Sequence, residues 1–170
     1  MITIRPERPE DIPGVYRVNE LAFERKAEAE LVNLLRDHGQ VILSLVAEQD
    51  GEVVGHVLFS PMRLVTDAGE LPAAGLAPMS VLPAYQKTGI GSQLIRAGLA
   101  DLVVQGWRIA FVLGHSDYYP RFGFVPAVRY AIRSTYDVPD EVFMALELVP
   151  GALEGAHGIA HYAEEFNTID

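Results

Sequence analysis

The sequence predicts one α/β domain over residues 1–170, built on a mixed sheet. Three observations carry that expectation. Short apolar runs of strand length alternate with stretches of helical periodicity. Asp50-Gly51 separates two such runs, the strongest short-range hairpin signal a sequence offers. At the centre, a strand, a glycine-bearing polar loop, an amphipathic helix and a second apolar strand follow without a break between Ala73 and Gly114.

The elements can be justified in chain order. "ITIR" (Ile2–Arg5) is a short first strand ahead of Pro6 and Pro9. Ile12, Val15, Tyr16, Asn19 and Phe23 keep helical spacing, and Pro13 with Gly14 confines that helix to beginning around them. A second helix presents Ala27, Leu31, Leu34 and Leu35 on one face, leaves Glu28 and Glu30 off it, and has Gly39 as a C-terminal stop. "VILSLVAEQ" and "EVVGHVLFSPMRLV" are the hairpin strands, and "DAGE" (Asp67–Glu70) turns the chain into a fourth strand, Ala73–Leu82. The next helix places Ile90, Leu94, Ile95, Leu99, Leu102 and Val103 on one stripe, and Gly106 ends it. "RIAFVLG" is a continuous apolar run, the pattern of a strand covered on both faces. "HSDYYPRFGFVPA" is an aromatic loop or short helix, and the tail, including "VFMALEL" (Val142–Leu148), supplies one or two further strands.

Composition narrows the function classes. No apolar run reaches the roughly 18 residues of a membrane span, and the start lacks a signal-peptide core. There are no cysteines, which excludes disulfides, a thiolate nucleophile and Cys-based zinc sites and fits a reducing cytoplasm. A formal charge of −10 argues against nucleic acid as a partner and suits a cationic or amine-bearing one. His157 and His161, four apart, can share a helical face with Glu164, but Gly158 stands where a zinc protease needs glutamate. No metal is expected.

The central loop, Gln86-Lys87-Thr88-Gly89-Ile90-Gly91, has the residue types of a phosphate cradle. A Walker loop needs glycine directly before Lys-Thr, where this chain has Gln86. A dinucleotide fingerprint needs a third glycine at the position of Leu94. "KTG" also occurs in penicillin-binding enzymes, but no serine here has a Ser-x-x-Lys partner. What remains is Gln-x-x-Gly-x-Gly between a strand and a helix, where backbone N–H groups and the helix dipole converge on one spot and glycine lets a phosphate approach.

"MSVLPAYQKTGIGSQLIRAGL" resembles the acetyl-coenzyme A loop of the GCN5-related N-acetyltransferases (GNAT). The order of elements matches that family's fold, a mixed central sheet of six to seven strands flanked by about four helices. "LGHSDYYPRFGFVPA" and "VPDEVFMALELVPGAL" are similar to the YhbS-like branch, over roughly residues 75 to 155. The resemblance implies that the backbone of Met79, Ser80 and Val81 pairs with the pantetheine arm of acetyl-CoA. It also implies that the pyrophosphate sits on the N–H groups of Lys87, Thr88, Gly89, Ile90, Gly91 and Ser92, beside Gln86. "YPRFGF" resembles a segment whose tyrosine lies near the thioester sulfur. The corresponding Tyr119 would protonate the leaving thiolate, with Tyr118 its obvious confusion.

The base is not assigned by the resemblance. A lysine-like amine has a pKa near 10.4 and arrives protonated, so something must take its proton. Relatives often use a carboxylate on the central strands, and "LAPMSV" carries none. His115 is either that base or a pantetheine contact, and Glu24, between the first two helices, is a candidate for amine recognition. The implied activity is acetyl transfer from acetyl-CoA to a primary amine by direct attack in a ternary complex, in the cytoplasm, with no membrane partner. The rival readings are an acyl-CoA sensor without turnover, and transfer of a longer acyl group or to a protein acceptor. The alternating apolar tail also leaves a homodimer open.

Overall fold

Asp50 and Gly51 take φ values of 53° and 79°, the left-handed pair that a two-residue type I′ turn demands. On either side run β2 (Leu43–Gln49) and β3 (Glu52–Thr66), antiparallel as the turn dictates. They belong to a computed structural model that describes residues 1–169. The other strands are β1 (Thr3–Pro6), β4 (Gly69–Val81), β5 (Ile109–Leu113), β6 (Val125–Pro126), β7 (Ile132–Ser134), β8 (Phe143–Glu147) and β9 (Gly158–His161). The α-helices among the described residues are α1 (Ile12–Phe23), α2 (Ala27–Asp37) and α3 (Ile90–Val104). The mixed sheet has the order β1-β2-β3-β4-β5-β8-β6, with β9 paired to β3 and β7 to β9.

The class is the expected one, but the counts differ: among the described residues there are nine strands rather than six or seven, and three α-helices rather than about four. The additional strands are β6, β7 and β9, of two to four residues, too short to show a period in sequence. The aromatic turn does not grow into a helix. It stops as a single 3-10 turn, Tyr119–Phe122, with Pro120 inside it and Gly123 closing it at φ 99°.

Two compact units make up the chain. The first comprises Met1–Phe59, Ala77–Gly98 and the residues from Glu164 on; the second comprises Ser60–Leu76 and Leu99–Ala163. In the first, α1 begins at Ile12 with Pro13 in the opening turn, where its missing N–H costs nothing. Val15 and Val18 of α1, Leu31, Val32 and Leu35 of α2, and Ile90, Leu94 and Ile95 of α3 are buried. Two expectations about helix faces are corrected. Glu28 is only 8% exposed, because Arg25 one turn earlier grips its carboxylate with two hydrogen bonds of 2.9 and 2.6 Å. Phe23 is 37% exposed, since α1 ends there and turns at Glu24.

At the heart of this unit His56 of β3 is wholly buried. The Asn19 side-chain amide donates to the Val15 carbonyl (2.9 Å) and to His56 Nδ1 (3.2 Å). Nδ1 is therefore unprotonated, and Nε2–H donates to Ser44 Oγ (2.9 Å). Burial, helped by the charge of Arg36, lowers the imidazole pKa from 6.5 to about 3.

In the second unit β4 runs parallel to β5, which pairs antiparallel with β8. Phe111 of β5 stacks on Phe143 of β8 at 5.3 Å between ring centres, within a core that includes Met62, Leu64, Ile132 and Leu153. Val103, expected on the buried stripe of α3, is 49% exposed because it lies in the last turn. Trp107, the chain's one tryptophan, is half-buried where α3 gives way to β5, and its backbone N–H bonds the Leu102 carbonyl at 3.0 Å. His161 lies in β9 and His157 just ahead of it, so the two share no helical face with Glu164 and are read as surface or packing residues.

Candidate functional site

The first unit holds the end of β4 and the loop that follows it. Met79 is half-buried, and Ser80 and Val81 are buried. The Ser80 hydroxyl oxygen is buried with no hydrogen-bond partner among the described residues, an unusual state for a polar atom removed from water. Leu82 N–H anchors the strand end to the Val54 carbonyl at 2.9 Å, and Pro83–Tyr85 form one 3-10 turn.

Gln86 then reaches back, its Nε2 donating to the Val81 carbonyl at 3.0 Å, so the side chain ties the loop to the strand it leaves. The Thr88 hydroxyl donates to the Tyr85 carbonyl. Lys87 and Gly89 both have left-handed backbone, with φ of 64° and 92°. Glycine at 89 is explained by that angle, since a Cβ there would meet nothing within 4 Å. The helix ladder opens with Gln93 N–H bonded to the Gly89 carbonyl at 3.0 Å, and the positive end of the α3 dipole faces the loop. Sequence spacing anticipated this strand–loop–helix junction; the internal use of Gln86 and the buried Ser80 hydroxyl have no signature in it.

Glu24 also lies in the first unit. It ends α1 with φ 57° and is exposed.

The second unit holds the aromatic turn. β5 leaves the sheet at Leu113, and Gly114 N–H bonds the Val142 carbonyl at 2.9 Å. His115 is exposed, and its carbonyl accepts from Tyr118 N–H (3.2 Å) and Tyr119 N–H (3.4 Å), so His115 and Tyr119 share one turn of backbone. Tyr119 is 8% exposed and held by ring edges: Tyr118 at 5.1 Å and Phe124 at 6.0 Å. Gly114 makes room for it, since a Cβ there would stand 2.4 Å from Tyr119 Cε2. Burial, with the neighbouring Tyr118, raises the Tyr119 phenol from 10.0 to about 12. It stays protonated at any physiological pH and is a hydrogen-bond donor. Tyr118 is half-buried, with the Arg121 guanidinium over its ring at 4.5 Å.

Among the described residues no helix is long and apolar enough to cross a membrane, and no three His, Asp or Glu side chains gather as a metal site.

Comparison with known proteins gives this geometry a family. Residues 3–127 match the sequence profile of the acetyltransferase (GNAT) domain. The chain is 37% identical to the uncharacterized N-acetyltransferase YhbS of Escherichia coli K12 over 165 residues, 96% of this chain and 98% of that protein. It is 40% identical to the uncharacterized N-acetyltransferase YjhQ of the same organism over 134 residues, 77% of this chain and 74% of that one. The crystal structure of E. coli YhbS in complex with CoA superposes with a TM-score of 0.92 at 36% identity, covering 98% of this chain and 92% of that one. A GNAT family acetyltransferase from Brucella melitensis, in complex with acetyl-CoA, superposes with a TM-score of 0.80 at 38% identity, covering 98% of each chain. The chain belongs to the GNAT acetyltransferase family.

Proposed function

We propose that this protein transfers the acetyl group of acetyl-CoA to a primary amine by direct attack within a ternary complex. One observation carries the reading: relatives 36% and 38% identical over nearly the whole chain are solved with CoA and acetyl-CoA. The loop geometry supports it. Left-handed Lys87 and Gly89 feed a helix whose dipole favours a pyrophosphate, and Lys87 adds a positive charge. The pantetheine arm extends the sheet by pairing with the backbone of Met79 to Val81 at the end of β4.

A backbone N–H at the end of β4 polarises the thioester carbonyl. The neutral amine attacks, its nitrogen–carbon bond forms, and a proton leaves the nitrogen for water or for His115. As the intermediate collapses the carbon–sulfur bond breaks, and the Tyr119 phenol donates its hydrogen bond to the departing thiolate. With a pKa of about 12 it stabilises that anion chiefly as a donor. Glu24 is assigned to amine recognition.

Thermal unfolding with acetyl-CoA, CoA, NAD and ATP in excess tests this. A ligand at a hundred times its Kd adds about 2.7 kcal/mol, roughly 5–11 °C for a chain of this size. The expected result is a rise with the two CoA compounds alone, followed by turnover in an amine screen. A rise with CoA and no turnover on any amine identifies an acyl-CoA sensor instead.

A further inference from the structure

The turn that carries Tyr119 is built from two columns of side chains. A 3-10 turn repeats every three residues, so side chains three apart stand one above the other. Across Tyr119–Phe122 this pairs Phe122 with Tyr119 and, from the residue just before the turn, Arg121 with Tyr118. The columns differ in exposure. Tyr119 is buried and Phe122 half-buried, whereas Tyr118 is half-buried and Arg121 exposed.

Arg121 grips Tyr118 at three points. Its guanidinium lies over the Tyr118 ring, 4.5 Å from the centre. Its Nε donates to the Tyr118 carbonyl at 3.0 Å, and its backbone N–H donates to the same carbonyl at 3.3 Å. Tyr118 in turn bears on the inner column. Its ring meets Tyr119 at 5.1 Å with 77° between the planes, and Phe122 at 5.3 Å with 76°. Other walls around Tyr119 are fixed by the fold itself: Phe124 is 1% exposed in the core, and Gly114 is held by its bond to the Val142 carbonyl. Tyr118 is the half-buried wall, and the Arg121 clasp covers its ring.

We propose that Arg121 is a positioning residue for acetyl transfer, holding Tyr118 as the wall that fixes the direction in which the Tyr119 phenol points. The proposal rests on the acetyl-transfer reading above and on the donor role given there to Tyr119. It predicts that Arg121 acts through Tyr119 and through no other part of the reaction.

Steady-state release of CoA from acetyl-CoA, with ethylamine as the acceptor probe, tests this. Arg121→Met keeps the length of the side chain and loses both the cation and the donor. Its kcat is expected to fall about tenfold, where a misplacement of about 1 Å costs on the order of a hundredfold, with KM for acetyl-CoA and ethylamine unchanged. Arg121→Lys returns a cation to the ring without the planar fork and should recover part of the loss. In a Tyr119→Phe background Arg121→Met should lower kcat no further, because the group it positions is gone. The CoA-induced thermal shift, expected unchanged in every variant, verifies folding; should Arg121→Met fail to fold, the same cycle with Arg121→Lys decides. An unchanged kcat, a loss confined to KM, or an equal loss in the wild-type and Tyr119→Phe backgrounds overturns the proposal. A wild type that shows the CoA shift but no turnover with ethylamine or any amine of the screen overturns the acetyl-transfer reading, and the positioning role with it, so the two failures are distinguishable.

Discussion

His56 in the first unit and Tyr119 in the second are both ionisable groups stripped of water, and burial keeps both neutral, the first near a pKa of 3 and the second near 12. Their neighbours differ in kind. Both nitrogens of His56 are engaged inside the chain, by Asn19 from α1 and Ser44 from β2, so nothing is left to offer a ligand. Tyr119 is fixed by the edges of other rings and by the space at Gly114, contacts that hold the ring and do not engage its hydroxyl. The same desolvation therefore goes with a fully engaged structural pin in one case and with a phenol left unengaged by the chain in the other. A shifted pKa alone does not distinguish the two.

The largest effect that sharpens this contrast is on turnover. Tyr119→Phe keeps the ring and deletes the donor, so kcat/KM should fall by about 10²–10⁴-fold, while stability and the CoA-induced thermal shift stay close to wild type. Full turnover in this variant would move Tyr119 to the side of the packing aromatics.

The next effect falls on stability. Below pH 6.5 the unfolded chain takes up a proton on His56 that the folded chain refuses down to about pH 3. Stability is therefore intact above 6.5 and drains away through that window on acidification, by about 1.4 kcal/mol per pH unit at most. His56→Leu should unfold at lower urea at pH 7, by about 2–3 kcal/mol, because Asn19 and Ser44 lose a buried partner. The same variant should lose stability less steeply on acidification than wild type. The Asp11 and Glu165 carboxyls, both held low by hydrogen bonds from Arg5 and His38, add their own acid sensitivity to wild type and variant alike, so the difference between the two curves belongs to His56. Parallel curves would show that the ring titrates in the folded state.

The smallest effect is Gly114→Ala. The added methyl cannot coexist with the Tyr119 ring where it lies, and displacing that ring costs about 1–3 kcal/mol of stability. Acetyl transfer should drop less than in Tyr119→Phe, because the hydroxyl is moved and not removed. A fully active, fully stable variant would mean that the ring has room to shift.

The features legible in the sequence were those written in adjacent residues. Asp50-Gly51 specifies its turn because left-handed backbone is a local property, and the Gln86–Gly91 loop announces a strand–helix junction for the same reason. Features made by distant residues left no pattern. The partners of His56 lie 12 and 37 residues away, and β9 adds to β3 from the far end of the chain. Glu28 misled because a charge on a helix reads as solvated until its Arg25 partner is seen closing over it. At the candidate site, the loop was recognised by its residue types, whereas the crowding of Tyr119 by Gly114 depends on how a ring folds back over its own strand.

The single tryptophan has a spectroscopic consequence. Trp107 belongs to the second unit and His56 to the first, so indole fluorescence and His56 protonation report on different halves of the molecule. In an acid titration, an emission change that coincides with loss of far-ultraviolet circular dichroism marks one cooperative transition carried from the imidazole to the indole. An emission that lags behind the dichroism marks a second unit that outlives the first.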